Sequence, residues 1–360
     1  MSEERTCAAV ARAQAFSERI GTRLPILLAP MAGACPPGLS IAVANAGGLG
    51  ACGALLMNPE AIRAWCDEFR RESSGGFQLN LWIPNPAPVR DAEMERLQRE
   101  FLGTWGPAVA EDAGSGVLPD FKAQCEALLA ARPRAISSIM GLYAPEFVAE
   151  MKARGILWFA TATTVDEARA AEAAGADAVI AQGMEAGGHR GSFDPEKAEA
   201  QLVGLMALVP QVVDAVSVPV IATGGIADAR GVAAALILGA SAVMIGTGFL
   251  RARESNADAR HAEVLGRTEA HDTTITRAFT GRAGRAIRNA YVDASAEADT
   301  KPAPYPVQRG LTRAMREDAI KTADTERMQM WSGQAARLAQ TRPAGEIAQE
   351  LWTGAMRLLG

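Results

Sequence analysis

The chain has 360 residues, of which 49% are hydrophobic and 21% charged; this excludes a disordered protein and allows one large α/β domain with an extension, or two domains. Its net charge of −5 argues against a nucleic-acid-binding surface, which requires a basic patch. Five cysteines without a CxxC spacing are interpreted as reduced thiols of a cytoplasmic protein. The charged first twenty residues predict no signal peptide. The most apolar stretch, 231–246, is broken by Gly239 and is too short to span a membrane.

The first half of the chain alternates short apolar strands with helices. Strands are predicted over 26–30, 49–52, 77–82, 135–139 and 156–160. Helices are predicted over 39–45, 58–71 and 145–153, and 89–134 contains helical patterns around a weak, glycine-containing stretch at 103–116. Asn58 as N-cap and Pro59 at the first helical position mark one helix start.

The second half continues the alternation. Predicted helices cover 164–175, 196–216 and 228–238, and Pro210 is a possible break in the second of these. Predicted strands cover 177–181, 218–222 and 242–245. Short, non-alternating apolar strands separated by helices predict a parallel sheet covered on both faces. Eight such units over about 230 residues match a closed (β/α)8 TIM barrel, with an open doubly wound α/β sheet as the alternative.

A glycine-rich loop over 182–191 follows the sixth predicted strand and contains His189, one of only three histidines. A neutral imidazole at the carboxyl end of a strand is a candidate proton-transfer group, although an exposed loop histidine is the alternative. Glu185 could orient this loop but is interpreted as a solvated carboxylate, and His261 and His271 are interpreted as surface residues. No metal-ligand spacing occurs, so no metal site is predicted.

Two glycine turns, 223–228 and 246–248, follow the seventh and eighth predicted strands. Barrels of this class often bind phosphate at these two loops, where backbone N–H groups face the anion, although tight turns need glycine as well. Amide side chains stand near two other strand ends, Asn80 and Gln182, and their donors and acceptors suit the edges of a flavin ring. Asn80 could alternatively be a satisfied turn amide.

Together these segments resemble the FMN-dependent nitronate monooxygenases, formerly called 2-nitropropane dioxygenases. The barrel segments that carry the resemblance are 29–33, 45–50, 80–81, 182–189, 223–226 and 244–247. It continues through 279–285 with Asn289, 301–308 and 331–334. The barrel motifs alone are shared with flavin enoyl-acyl-carrier-protein reductases.

The resemblance implies FMN over the barrel mouth and a catalytic His189, which takes the α-proton of a nitroalkane or steadies a bound nitronate. Oxidation with O2 would give a carbonyl compound and nitrite. The implied cofactor-binding residues are Ala29, Pro30, Met31, Asn80, Gln182, Gly187, Gly188, Gly224, Gly225, Met244, Gly246 and Thr247. The implied domains are a barrel at 20–253, a cap or insert at 254–310 and C-terminal helices at 311–360 that pack back on the barrel. The expected partners are the small nitro or nitronate compound and O2, without nucleic acid or membrane, and a homodimer is a candidate assembly.

One segment departs from the family pattern. Many members of the best-studied bacterial branch have a histidine at the end of strand four, where this chain has Ser137-Ser-Ile-Met-Gly141. The departure leaves the exact substrate open. Tyr305 could contribute from the cap or be a packing residue.

Three further questions stay open at this point. The arginines at 277, 282, 285 and 288 could reach a phosphate or an anionic substrate, or form a solvated face. An NAD(P)H-dependent FMN reductase of enoyl thioesters is the alternative activity. A non-catalytic flavin- or phosphate-ligand-binding protein is a second alternative.

Overall fold

The structure, a computed structural model, describes residues 7–360. Residues 1–6, which belong to the segment predicted to lack a signal peptide, lie outside the described residues. None of the helices between residues 7 and 360 has the length and apolar character that a membrane crossing requires. The α-helices are α1 Ala8–Ile20, α2 Pro37–Ala46, α3 Pro59–Glu72, α4 Ala92–Gly103, α5 Phe121–Ala131, α6 Pro145–Ala153, α7 Val165–Ala173, α8 Leu205–Ala215, α9 Ala229–Ile237, α10 Ala259–Leu265, α11 Ala290–Glu297, α12 Val307–Leu311, α13 Arg313–Thr322 and α14 Ala344–Leu359.

Eight parallel strands form the central sheet, in the order β1-β9-β8-β6-β5-β4-β3-β2. A parallel bridge between Leu27 and Leu49 joins the two ends of this order and closes the barrel. The prediction of a (β/α)8 TIM barrel is confirmed, and the open doubly wound sheet is wrong. The strands are β1 Ile26–Leu28, β2 Gly50–Gly53, β3 Phe77–Trp82, β4 Ala135–Ile139, β5 Leu157–Ala162, β6 Ala178–Gln182, β7 Gly188–His189, β8 Val220–Thr223, β9 Ala242–Ile245, β10 Thr273–Thr276 and β11 Gly284–Ile287.

The barrel interior changes from apolar to polar along three neighbouring strands. Inward side chains recur every second residue because successive side chains of a strand point to opposite faces. In β5, β6 and β8 the buried residues of the inner cluster, Phe159, Ile180 and Ile221, are each followed two positions later by a polar residue. Helix α1 closes the amino end, where the Phe16 ring lies 6.1 Å from that of Phe159. The sealed end is therefore apolar, and polar groups collect at the carboxyl end.

One predicted helix is too long. The structure has α8 only over Leu205–Ala215, whereas residues 196–204 form turns and an extended segment. The Val203 carbonyl accepts from the Met184 N–H at 2.8 Å, so it pairs with the His189 loop instead of with a following helical turn. Pro210 does not break α8, which continues through it.

A second, smaller sheet lies beside the barrel mouth. It has the order β10-β11-β7, so the His189 strand pairs antiparallel with Gly284 and Arg285 of the segment that follows the barrel. The last helix, α14, packs against α9 and α2 on the outside of the barrel. The pairing of β7 with β11 fixes His189 against the part of the chain predicted to form a cap.

Candidate active site

A cavity of about 510 Å³ opens at the carboxyl end of the barrel strands, within the usual size range of ligand pockets. All the predicted site residues line it: Ala29, Pro30, Met31, Asn80, Gln182, Gly187, Gly188, His189, Gly224, Gly225, Met244, Gly246 and Thr247. The second wall comes from the region after the barrel, including Thr280, Tyr305, Arg309 and Trp331. The structure thus brings the predicted residues together, while their individual roles remain predictions.

His189 is held between two indole rings. Its ring centroid lies 4.6 Å from that of Trp82, edge to face, and 4.7 Å from that of Trp331. Its Nε2 atom lies 2.8 Å from Oγ1 of Thr280. The indoles cover part of the imidazole, so its surroundings in the protein are apolar except for the Thr280 hydroxyl and nearby cationic side chains.

The pKa of His189 is lowered to about 3, first because burial disfavours the charged imidazolium and then because of the positive charges of Arg282 and Arg309. The imidazole is therefore neutral at physiological pH and has a lone pair available on one nitrogen. The same shift makes it a weak base, since each pKa unit corresponds to about 1.4 kcal/mol.

The two glycine turns after β8 and β9 present unused backbone donors to the cavity. The N–H groups of Gly224, Gly225, Gly246 and Thr247 donate no hydrogen bond to any residue between 7 and 360. Gly224 and Gly225 have φ of +116° and +68°, which only glycine adopts without strain. A Cβ at Gly246 would lie 3.3 Å from the Met31 sulfur. Free N–H groups converging on a cavity form a suitable cradle for an anion.

The two predicted amide side chains differ in which hydrogen-bonding groups they leave available to a ligand. Asn80 donates through Nδ2 to Oγ of Ser137 at 3.0 Å, and its Oδ1 accepts nothing from the described residues. Gln182 donates to the His189 carbonyl at 3.2 Å and accepts from the Gly191 N–H at 2.8 Å. Gln182 therefore braces the loop that carries His189, with one N–H and one lone pair left for a ligand.

The arginines at 277, 282, 285 and 288 neither line the cavity nor form one solvated face. Arg282 and Arg285 are buried and donate to the backbone carbonyls of Ser192, at 2.8 Å, and Met184, at 2.9 Å. The other two pair with carboxylates, Arg277 with Glu199 at 3.0 Å and Arg288 with Asp293 at 2.5 Å. The two buried arginines thus clamp the His189 loop from the cap side.

Two further interpretations from the sequence are wrong. Glu185 is not a solvated carboxylate: its Oε1 and Oε2 accept from the Leu205 N–H at 2.8 and 3.0 Å, at the start of α8. His261 is not on the surface: it lines the cavity, and its Nε2 is buried without a hydrogen-bond partner in the described residues. His271 is exposed, as predicted. In the described part of the chain, no three His, Cys, Asp or Glu side chains are grouped closely enough to ligate a metal.

Comparisons with known proteins agree on one family. A sequence model described as "Nitronate monooxygenase" matches residues 14–354. A probable nitronate monooxygenase of Staphylococcus aureus strain Newman is 36% identical over 342 residues, which cover 93% of this chain and 95% of that protein. The chain belongs to the nitronate monooxygenase family. It is therefore an oxidoreductase.

Solved structures extend this result. A nitroalkane oxidase from Streptomyces ansochromogenes matches with a TM-score of 0.87 and 34% identity, covering 96% of this chain and all of that one (100%). FabK from Thermotoga maritima matches less well, with a TM-score of 0.76, 28% identity and 96% coverage of each chain. The likeness to the nitroalkane oxidase is thus greater in both fold and sequence.

Two arginines of this nitronate monooxygenase family member line the cavity and were missed by the sequence analysis. Arg309 makes no hydrogen bond or ion pair with its guanidinium to any described residue. Arg316 donates to neutral acceptors, among them Oε1 of Gln329 at 3.1 Å and the Arg309 carbonyl at 2.9 Å. Their helical segment has no glycine motif or histidine that signals a site, and only tertiary folding of the region after the barrel brings them to the cavity.

The end of β4 contributes Ile139 and Ser137 to the cavity wall, so no histidine enters from that strand. A second imidazole enters from α10 instead, as His261. Tyr305 lines the cavity, with its ring centroid 5.3 Å from that of Trp82. Its hydroxyl is buried without a partner in the described residues, and burial raises its pKa to about 12. A neutral phenol there is a donor that a ligand would satisfy.

Acid is expected to destabilise the fold through its two cavity histidines. Burial lowers the pKa of His261 to about 4, and that of His189 to about 3, below the ordinary value of 6.5. Below pH 6.5 these histidines become protonated in the unfolded chain but stay neutral in the folded chain. The free energy of unfolding therefore falls by about 1.4 kcal/mol per group and pH unit.

Urea unfolding at pH 7 and pH 5 measures this effect, and the free energy of unfolding of His261→Gln should fall less between the two pH values than that of wild type. His271→Gln is the exposed control; a loss in His261→Gln equal to that of wild type would contradict the prediction.

Proposed function

We propose that the protein oxidises alkyl nitronates with O2 through bound FMN, giving a carbonyl compound and nitrite. Neutral nitroalkanes would be slower substrates of the same site. The observation that carries the proposal is one cavity that combines a neutral His189 with two features that have no partner within residues 7–360, the Arg309 guanidinium and the N–H groups of the two glycine turns. Family membership supports the activity.

The residues present fit FMN. The unused N–H groups after β8 and β9 suit its phosphate, because backbone donors there are directed at a cavity rather than at protein acceptors. Ala29, Pro30, Met31 and Asn80 would lie along the ring, with the free Oδ1 of Asn80 as an acceptor for a ring N–H. When bound, the flavin supplies electron transfer between the substrate and O2.

The charges of the cavity favour an anionic substrate. Arg309 has no carboxylate partner in the described residues, and the Arg316 hydrogen bonds go only to neutral acceptors. A nitronate carries its negative charge on two oxygens, which suits the planar donor fork of a guanidinium. A neutral nitroalkane has no negative charge for Arg309 and Arg316 to attract, and it must also lose a proton to a weak base. We therefore place nitronates first as the substrate class.

The neutral His189 suits the second substrate class. In a nitroalkane the α-carbon proton must be removed before oxidation, and the unprotonated imidazole near Arg309 is an acceptor for it. The negative charge that develops on the nitro group would be met by Arg309. Trp82 and Trp331 pack against the imidazole and lower the local polarity, which strengthens both interactions.

The reductase alternative has less support. It needs a nicotinamide partner, and FabK, the match that bears on it, is lower in both TM-score and identity than the nitroalkane oxidase. A non-catalytic binding protein does not agree with membership of an enzyme family. A cytoplasmic location, a homodimer and the three-part domain division remain parts of the proposal.

Three measurements on the purified holoprotein test the proposed function. Heat release of the chromophore followed by mass spectrometry should identify FMN. Anaerobic mixing with ethyl nitronate should bleach the flavin spectrum, whereas NADH should leave it unchanged. With O2 present, ethyl nitronate should yield nitrite and acetaldehyde. Rapid bleaching by NADH with no response to the nitronate would overturn the proposal in favour of the reductase.

A further inference from the structure

Thr280 is the only described residue that hydrogen-bonds the imidazole of His189. Its Oγ1 lies 2.8 Å from Nε2, and the threonine is 3% exposed. The other ring nitrogen, Nδ1, has no partner in the described residues, yet it is not among the atoms sealed from solvent. Since His189 lines the cavity, this accessible Nδ1 is available to a ligand there.

The Thr280 hydroxyl has one hydrogen and two neighbours that can take it. It lies 3.3 Å from the Arg282 carbonyl, and it accepts weakly from the Arg282 N–H at 3.4 Å. If the hydroxyl donates to Nε2, the Arg282 carbonyl loses this donor. If instead Nε2–H donates to Oγ1, the hydroxyl hydrogen is free for the carbonyl. The second arrangement makes one more hydrogen bond around the same oxygen.

Charge favours the same arrangement. The Arg309 guanidinium lines the cavity that Nδ1 faces, and it has no counter-ion in the described part of the chain. A lone pair on Nδ1 is attracted to that cation, whereas an Nδ1–H would face it with no acceptor. Both arguments place the hydrogen on Nε2.

We propose that Thr280 is a positioning residue that holds His189 as the Nε2–H tautomer, with the lone pair of Nδ1 presented to the substrate. This rests on the proposed function for its substrate. In a bound nitroalkane the α C–H bond breaks, the proton goes to Nδ1, and the electron pair passes into the nitro group to give the nitronate. Thr280 acts only through the imidazole and touches neither reacting atom.

The tautomer is read directly by ¹⁵N NMR of holoprotein labelled at histidine. Three histidines give a simple spectrum, and His189→Asn identifies the signals of His189. Wild type and Thr280→Ser should show Nε2 protonated and Nδ1 unprotonated at pH 7. Thr280→Val should shift both signals towards a tautomer mixture. The control is Thr274→Val, in β10 of the small sheet that contains His189 but outside the cavity lining, and it should leave both signals unchanged.

Kinetics give the second readout. Thr280→Val should lower kcat/KM for nitroethane roughly tenfold, the size expected for one lost hydrogen bond, and change that for ethyl nitronate by less than about twofold. Thr280→Ser should restore the nitroethane rate. A wild-type spectrum with Nδ1 protonated, or a Thr280→Val spectrum identical to wild type, would overturn the inference. Absence of nitronate turnover would instead overturn the proposed function, since the tautomer is measured without it.

Discussion

Replacing His189 by Asn is expected to lower kcat/KM for nitroethane by about 10²–10⁴-fold, the contribution typical of a well-placed general base. The loss for ethyl nitronate should be much smaller, because the nitronate has already lost its proton. Asn removes the base but keeps a polar side chain, and the backbone pairing of β7 with β11 should keep the loop in place. Steady-state rates of nitrite release from the two substrates measure the difference.

The matched control for this substitution is His271→Asn, which changes an exposed histidine away from the cavity and should leave both rates unchanged. A wild-type pH profile for nitroethane should show no acid limb near pH 6.5, because burial and the two arginines hold the pKa of His189 at about 3. Equal losses for both substrates in His189→Asn would contradict proton removal and leave only a binding role for the imidazole.

Replacing Arg309 by Met is expected to raise KM for ethyl nitronate by about 10–100-fold, the effect of losing a hydrogen bond to a charged group. Met keeps the apolar stem and removes only the guanidinium. Arg309→Lys should be intermediate, since it keeps the charge but loses the planar donor fork. Initial rates over a range of nitronate concentrations measure the effect.

The control for Arg309 is Arg288→Met, which removes an exposed arginine paired with Asp293 outside the cavity. It should leave KM unchanged. Nitrite, as a small anionic product, should inhibit wild type and lose potency in Arg309→Met. An unchanged KM and an unchanged inhibition by nitrite in Arg309→Met would show that the anion binds elsewhere.

The sequence predicted the barrel and its cavity wall for a physical reason. Each strand is an apolar run that ends near a glycine or a polar residue, and closing the sheet brings all such ends to one rim. The shared location of these strand ends could therefore be predicted without any knowledge of contacts for Asn80, Gln182 and the turns at 223–228 and 246–248. Strand bounds differ from the predictions by only a few residues.

The errors share another cause: they depend on partners far away in the chain. Glu185 looked solvated because the donor to its carboxylate, the Leu205 N–H at the start of α8, is twenty residues further on. His261 lies in a charged segment and Arg309 in a proline-rich one, and both line the cavity only because the region after the barrel folds over the barrel mouth. No periodicity within those segments distinguishes a cavity side chain from a solvated one, so local patterns favoured the wrong answer.

Segment 331–334 joins one wall of the cavity to the barrel. The Gly333 N–H donates to Oγ1 of Thr247 at 2.9 Å, and the Gln334 N–H donates to the Glu185 carbonyl at 2.9 Å. This wall thus comes from a segment far along the chain from the barrel strands, and Trp331 of this segment packs on His189. Detachment of this segment alone would leave every barrel strand in place but would open the cavity and uncover His189.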